Sequence, residues 1–162
     1  MKRGAIISIA LIGLMASMPC SGQDGKFKAL FITKFAEYIE WPDASKDVTI
    51  GVVGKSPVFD ELSAFAAKKT NLSVITISSP AEVAKCRIIF LPESQNVQIA
   101  GYKTAIGTRS ILLVSEEGSL VGIGSDIGFF TAAGKVQFQL SEPNIKQKNL
   151  VVSAKLRALA NQ

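Results

Sequence analysis

The feature that most constrains the fold is a regular alternation of short apolar runs with helical segments between residues 48 and 116. Four runs have the β-branched composition of strands that are buried on both faces: VTIGVVG (48–54), LSVITIS (72–78), RIIFLP (87–92) and SILLVSE (110–116). The segments between them predict a helix over 57–69, a short helical turn over 79–84 and a helix over 97–107. Such an alternation is typical of a parallel sheet with helices packed on it.

The two ends of the chain depart from this alternation. Apolar residues at helical spacing predict a helix over 26–40, which ends before Pro42 because the residue preceding a proline avoids helical geometry. Near the other end, alternating residues predict a β-hairpin of 127–132 and 135–140, followed by a short helix and a terminal helix around 152–160. We therefore predict a single three-layer α/β domain, in which helices pack on a mostly parallel sheet that ends in a C-terminal antiparallel hairpin.

The first residues have the pattern of a secretory signal peptide. Two basic residues precede a 14-residue apolar run over 5–18, which is shorter than the roughly 20 residues that a membrane-spanning helix needs. Cleavage fits best after Gly22 and leaves 23–162 as the domain. We expect a periplasmic protein with no membrane insertion after cleavage. Lipid anchoring through Cys20 is disfavoured, because Pro19 rather than a small residue precedes it.

Composition excludes several classes of function. The chain has no His and two Cys, which removes imidazole-based catalysis and a four-thiolate zinc site within one chain. Loss of Lys2 and Arg3 with the signal peptide lowers the formal net charge from +5 to +3. No basic cluster with aromatic neighbours remains, so we expect no nucleic-acid partner. Cys86 is then the only Cys, and no intramolecular disulfide can form.

The carboxyl ends of the predicted strands provide one candidate ligand pocket. Gly54-Lys55-Ser56 follows a strand and opens a helix, but Thr49 occupies the position where the phosphate-loop pattern needs a glycine. Lys55 and the helix N-terminus could still hold an anion. One hypothesis is therefore a small-ligand binding module that uses side chains at these strand ends: Lys55, Ser56, Glu93, Ser115 and Glu116.

A hydrolytic enzyme that works through carboxylates alone is another hypothesis. Glu116, Glu117 and Asp126 follow the last strand of the alternation, but we expect adjacent Glu residues at a strand end to point into solvent. Cys86 lies between two basic residues, which could lower the pKa of its thiol. Its place at the start of an apolar strand instead favours a half-buried structural thiol. We predict no catalytic residue, no cofactor and no metal.

An aromatic stripe marks the predicted first helix and its end. Its members are Phe31, Phe35, Tyr38 and Trp41, and Pro42 follows them directly as part of the same candidate contact. One interpretation is packing against the sheet. The other is that part of this edge is exposed to a protein partner, because aromatic residues carry much of the energy of interfaces.

These segments resemble a known family. KALFITKFAEYIEWP (28–42) is similar to the opening signature of the YfiR-like periplasmic proteins, in which such a helix directly follows the signal peptide. The resemblance continues through VTIGVVGKSPVFDEL (48–62) and through GSDIGF (124–129). VQFQLSEPNIKQKNLVVSAKLRALA (136–160) resembles the family's closing strand and helices, with Ala154 where the family commonly has Ser.

The resemblance implies a regulatory protein rather than an enzyme. Founding members bind the periplasmic sensor domain of an inner-membrane diguanylate cyclase, restrain cyclic-di-GMP synthesis and form homodimers. We therefore expect this chain to bind the periplasmic domain of an inner-membrane signalling protein, with the aromatic stripe as the contact, and to form a homodimer. The disulfides of the founding members do not carry over, because one Cys remains after cleavage.

Overall fold

The computed structural model describes residues 21–43 and 45–160. Most of the predicted signal peptide, with Cys20, lies outside the described residues. The helices are α1 (Ser21–Tyr38), α2 (Pro57–Ala66), α3 (Ile99–Ile106), α4 (Glu142–Gln147) and α5 (Ala154–Ala160). The strands are β1 (Ile39–Glu40), β2 (Val48–Val53), β3 (Leu72–Ile77), β4 (Ile88–Leu91), β5 (Leu112–Ser115), β6 (Ile127–Ala132), β7 (Lys135–Leu140) and β8 (Val151–Val152). Short 3-10 helices lie at Pro80–Lys85, Glu93–Gln98 and Gly118–Leu120.

The central sheet confirms the predicted fold class. Its strand order is β3-β2-β4-β5-β6-β7, with parallel pairing from β3 to β6 and an antiparallel β6–β7 hairpin at one end. The hairpin turn has two residues, Ala133 and Gly134, with φ angles of 49° and 72°. This left-handed pair matches the right-handed twist of the two strands.

Two local predictions differ from the structure. The predicted helix over 97–107 is divided into the 3-10 helix Glu93–Gln98 and α3, because the chain already starts to wind after Pro92. The last residues of the predicted first helix form β1, which pairs with β8 in a separate antiparallel ribbon. A strand of two residues is too short to give a periodic pattern, so the sequence did not indicate this pair.

Each face of the sheet packs against its own layer of helices. We call the face covered by α1, α2, α4, α5 and the β1–β8 ribbon the first face. The face covered by α3 and the 3-10 helix Pro80–Lys85 is the second face. Strand residues alternate between them, so that Ile88 and Phe90 belong to the first core and Ile89 and Leu91 to the second.

Both end strands of the sheet keep exposed residues. In β7, Phe138 is buried because its side chain faces the first core, whereas Lys135 and Gln139 are exposed. In β3, every residue from Leu72 to Thr76 is at least partly exposed. Neither end strand is therefore fully covered.

Candidate functional site

The predicted aromatic stripe is divided between core and surface. Phe35 is fully buried, with its ring stacked on Phe129 at 5.9 Å and edge-on to Phe138 at 4.9 Å between ring centroids. Phe31 is half-buried, and its ring lies 5.2 Å from that of Phe138. Because the β6–β7 hairpin packs on it, Phe35 has no surface that a partner could reach, so of these two residues only Phe31 is accessible.

Tyr38, the third member, lies between two cations. The Nζ atoms of Lys34 and Lys155 are 5.5 and 5.7 Å from the centroid of its ring, within the range of cation–π attraction. Glu37 beside it accepts hydrogen bonds from Lys34 and Lys69. Partial burial opposes ionisation of Glu37, but the two lysines outweigh it and lower the pKa of the carboxyl. This end of the helix is therefore occupied by charge pairs.

Trp41 and Pro42 begin the loop that follows the β1 strand. The guanidinium carbon of Arg87 lies 5.9 Å from the centroid of the Trp41 ring, and Arg87 Nη2 donates to both carboxylate oxygens of Asp43 at 2.6 and 2.7 Å. Pro42 is exposed. Trp41 Nε1 is buried and has no hydrogen-bond partner among the residues that the structure describes. The loop is held by Arg87, with Pro42 at its surface.

An exposed apolar surface lies one turn earlier on α1 than the predicted contact. Phe27 and Leu30 are 43% and 37% exposed, and their spacing places them beside Phe31 on one side of the helix. We call these three residues the α1 surface. It borders a hollow of about 570 Å³, which Phe27 and Phe31 line together with Thr131 and Val136 of the hairpin.

The sequence contained a signal for this surface. Phe27 and Leu30 belong to the same helical stripe as Phe31 and Phe35, but a stripe does not indicate where the sheet stops covering it. The hairpin packs on Phe35 and only partly on Phe31, so the first turns of α1 extend beyond the covered part of the stripe.

The five residues of the ligand hypothesis do not surround one cavity. Lys55 and Ser56 line a hollow of about 540 Å³ at the end of β2, whereas Glu93 and Glu116 line another of about 460 Å³. Ser115 is fully buried, and its hydroxyl donates to the carbonyl oxygen of Glu117 at 2.8 Å. The structure therefore separates the predicted set into two hollows and one core residue.

Local structure already occupies several of these groups. The Ser56 hydroxyl accepts the Val58 N–H at 3.2 Å and caps α2. Glu116 does not point freely into solvent as expected: its Oε1 accepts Lys28 Nζ at 2.8 Å, and its Oε2 accepts the Glu93 N–H at 2.9 Å. The Glu93–Glu116 hollow is thus braced by an ion pair that joins α1 to the strand ends.

Asp126 forms a buried ion pair instead of an accessible carboxylate. Its Oδ2 accepts Lys148 Nζ at 2.6 Å and the Leu113 N–H at 2.7 Å, and the carboxylate side chain is 1% exposed. Burial raises the pKa of the Asp126 carboxyl, against the opposing effect of these two donors. A group enclosed in this way has no contact with a substrate, and the pair joins the end of α4 to the sheet.

Cys86 is a structural thiol, fully inside the second core rather than half-buried. It is 3% exposed, and burial raises the pKa of its thiol to about 11. Its flanking lysine acts in the other direction but does not compensate for burial. The thiol is therefore protonated and enclosed at neutral pH.

The described residues contain neither a metal-binding cluster nor a membrane-spanning helix. Among residues 21–43 and 45–160, no group of three or more His, Cys, Asp or Glu side chains is arranged to hold a metal ion. In the same residues, no helix has the length and apolar character needed to cross a bilayer.

Comparison with known proteins identifies the family. None of the curated proteins matches the chain significantly. The family model described as YfiR/HmsC-like matches residues 25–161, which includes most of α1, the whole sheet and α5. The match spans most of the chain and agrees with the resemblance of its first and last segments: the chain belongs to the YfiR/HmsC-like family.

Proposed function

We propose that this protein is an exported regulator that inhibits a membrane-anchored signalling enzyme, a diguanylate cyclase, by binding its periplasmic sensor domain. The proposal includes export by the signal peptide with cleavage after Gly22, and no catalytic role for the chain itself. Members of the family are known in general as periplasmic regulators. The step beyond this general role is the partner, the periplasmic domain of a diguanylate cyclase.

The observation that carries the proposal is the α1 surface. Phe27 and Leu30 leave large apolar side chains in solvent, and Phe27 also lines the 570 Å³ hollow. Aromatic and aliphatic groups that project next to an apolar hollow are typical of the centre of a protein interface, where a few residues supply most of the binding energy. Lys135 and Asp24 also line the hollow and give it a polar rim.

The chemistry of the remaining candidates favours this role over the alternatives. The carboxylates of the enzyme hypothesis are paired, since Glu116 binds Lys28 and Asp126 binds Lys148. The residues of the small-ligand hypothesis are distributed over two open hollows. Neither arrangement brings a nucleophile, a base and a substrate cavity together.

The test measures binding of the mature protein to the purified periplasmic domains of the cell's membrane-bound diguanylate cyclases. We expect one domain to bind, and we expect Phe27→Asp combined with Leu30→Asp to weaken that binding at least about tenfold, or roughly 1.4 kcal/mol. Deletion of the gene should raise cellular cyclic-di-GMP. The parent protein should bring this level down again when it is supplied from a plasmid, and the double variant should not.

Ile123→Asp is the matched control, because Ile123 is an apolar residue that is 70% exposed elsewhere on the surface. It should bind like the parent protein. The proposal fails if no cyclase domain binds and cyclic-di-GMP is unchanged by deletion. If Ile123→Asp weakened binding as much as the double variant does, the α1 surface would not be the contact with the cyclase domain.

A further inference from the structure

The Glu93–Glu116 hollow borders the α1 surface. Thr131 of the hairpin is exposed and lines both this hollow and the 570 Å³ hollow of the α1 surface. On α1, Lys28 lines the Glu93–Glu116 hollow, and it lies three residues before Phe31, on the same side of the helix. The two hollows therefore form one continuous surface, in which an apolar part meets a charged part.

The charges of the Glu93–Glu116 hollow are not balanced. Its lining contains three carboxylates and one cation, Lys28, which is paired with Glu116 at 2.8 Å. The third carboxylate, that of Glu117, accepts hydrogen bonds from a neutral amide and a neutral hydroxyl. Among residues 21–43 and 45–160, neither Glu93 nor Glu117 has a cation within ion-pair distance. Two negative charges therefore remain unpaired at the border of the α1 surface.

An exposed aromatic ring lies in the same hollow. Phe130 is exposed and lines the hollow together with Glu117. The next residue, Gly118, packs against the hairpin, and Gln139 Nε2 donates to its carbonyl oxygen at 2.6 Å. A Cβ atom at Gly118 would come within 3.1 Å of the Phe129 carbonyl oxygen and 3.4 Å of Phe130 Cβ. This close approach holds the Glu117 loop beside the Phe130 side chain.

Unpaired carboxylates next to an aromatic ring favour one kind of cation. The guanidinium group of arginine is planar, forms two parallel hydrogen bonds with a carboxylate and stacks on an aromatic face. The ammonium group of lysine is a compact and strongly hydrated charge that cannot form this fork. Arginine is also enriched, with aromatic residues, among the residues that supply most of the energy of protein interfaces. The hollow is therefore suited to an arginine side chain of a protein partner.

We propose that the partner protein inserts an arginine into the hollow at the border of the α1 surface, where its guanidinium binds Glu93 and Glu117 and stacks on Phe130. This inference rests on the proposed function, because it takes the α1 surface as the contact with the cyclase domain. The segment that binds there carries an apolar side chain for the 570 Å³ hollow and an arginine beside it. Lys28 already neutralises Glu116, so the arginine compensates the two carboxylates that have no cation.

The first test uses a probe that does not require the cyclase domain. The probe is the dipeptide N-acetyl-phenylalanyl-arginine amide, which is titrated into isotope-labelled mature protein and followed by NMR. We expect the amide signals of Glu117, Phe130 and Thr131 to shift with a Kd of about 1 mM. The citrulline analogue has nearly the same shape without the charge and should bind at least about fivefold more weakly, as should the lysine analogue. Equal binding of the three dipeptides, or no shift of these signals at about 10 mM probe, would overturn the inference.

The second test uses the cyclase domain that binds the parent protein. Glu93→Gln combined with Glu117→Gln removes both charges, while the amide oxygens can still accept the existing hydrogen bonds. This variant should bind the domain about tenfold more weakly or worse. Glu40→Gln combined with Glu61→Gln is the matched control, because it removes two carboxylates that do not line the hollow. The control should bind like the parent protein.

The two tests separate this inference from the proposed function. If the domain binds and the double variant of the α1 surface weakens it, but Glu93→Gln with Glu117→Gln binds like the parent protein, the inference fails and the proposed function stands. If no cyclase domain binds but the arginine dipeptide binds as expected, the proposed function fails and the hollow remains an arginine site.

Discussion

The two faces of the sheet pack against different kinds of side chain. On the first face, Phe35, Phe90, Phe129 and Phe138 are fully buried, and the rings of Phe35, Phe90 and Phe138 each pack against that of Phe129 or against one another. The second face is mainly aliphatic, and its polar exceptions are Cys86 and a buried Tyr102. The same strands therefore support a layer of interlocking aromatic rings on one face and a mainly aliphatic layer on the other.

Two positions in the second layer show how it differs from the first. Within residues 21–43 and 45–160, the Tyr102 hydroxyl is buried without a hydrogen-bond partner, which costs free energy relative to its hydration in the unfolded chain. Cys86 lies against Gly51, where a methyl group at Cα would come within 2.6 Å of the sulfur. The buried Asp126–Lys148 pair belongs to neither apolar core and joins the end of α4 to the sheet.

The largest expected effect comes from the aromatic layer. Phe35→Ala should lower the free energy of unfolding by about 3–5 kcal/mol, because it leaves a cavity between α1 and the hairpin. The measurement is urea unfolding followed by circular dichroism. Phe27→Ala on the same helix is the control and should change stability by less than about 0.5 kcal/mol. A loss below about 1.5 kcal/mol for Phe35→Ala would mean that the layer is less tightly packed than the ring contacts indicate.

Loss of the ion pair should have an effect of similar size at neutral pH, but one that depends on pH. Lys148→Met leaves the Asp126 carboxylate buried without its cation and should cost about 3–5 kcal/mol near pH 7. Burial already raises the pKa of Asp126, and loss of Lys148 raises it further. The folded variant then takes up a proton at a pH where the unfolded chain is still ionised, so stability is retained in acid and lost as pH rises.

The deficit of Lys148→Met should therefore be smaller near pH 4.5 than near pH 7, each measured against the parent protein at the same pH. The double variant Lys148→Met with Asp126→Asn removes both charges and should lose this dependence. Equal deficits of Lys148→Met at the two pH values would contradict a buried, unpaired carboxylate.

On the second face, a smaller effect is expected from filling space that is already occupied. Gly51→Ala should cost about 1–3 kcal/mol, because the new methyl group meets Cys86 Sγ. Cys86→Ala in the same protein removes that contact. In a double-mutant cycle we expect the two changes to be coupled by at least about 0.5 kcal/mol. Additive costs would show that the strands shift to accommodate the methyl group.

The smallest effect tests the unpaired hydroxyl. Tyr102→Phe keeps the ring and removes the buried oxygen, so we expect no loss of stability and a gain of up to about 1 kcal/mol. Thermal and urea unfolding would both detect this change. A loss of more than about 1 kcal/mol would mean that the hydroxyl has a bonding partner, such as an internal water, and that the two faces differ less than the contacts indicate.

Much of the fold could be predicted because it depends on local patterns. The β-branched runs gave β2 to β5, the alternation in 135–140 gave β7, and Ser56-Pro57 gave the start of α2. These features arise from the period of two in strands and from capping, which involve residues close together in the chain. The β1–β8 ribbon could not be predicted, because Ile39 and Val152 are far apart in sequence and each strand has two residues.

The candidate site was less predictable for the same reason. The sequence placed Phe31 and Phe35 in one stripe, but only the position of the β6–β7 hairpin buries Phe35 and leaves Phe27 exposed. Likewise Glu116 and Asp126 looked alike as carboxylates after strands. Their partners, Lys28 and Lys148, lie 88 and 22 residues away in the chain.

By itself the sequence determined the α/β class, the hairpin and the absence of histidine chemistry, because composition and short-range periodicity decide them. Only the tertiary structure decided which helix covers which face, which apolar residues remain in solvent and which strands lie at the edges of the sheet. These outcomes depend on packing between distant segments, where the burial of one side chain is settled by the element that lies over it.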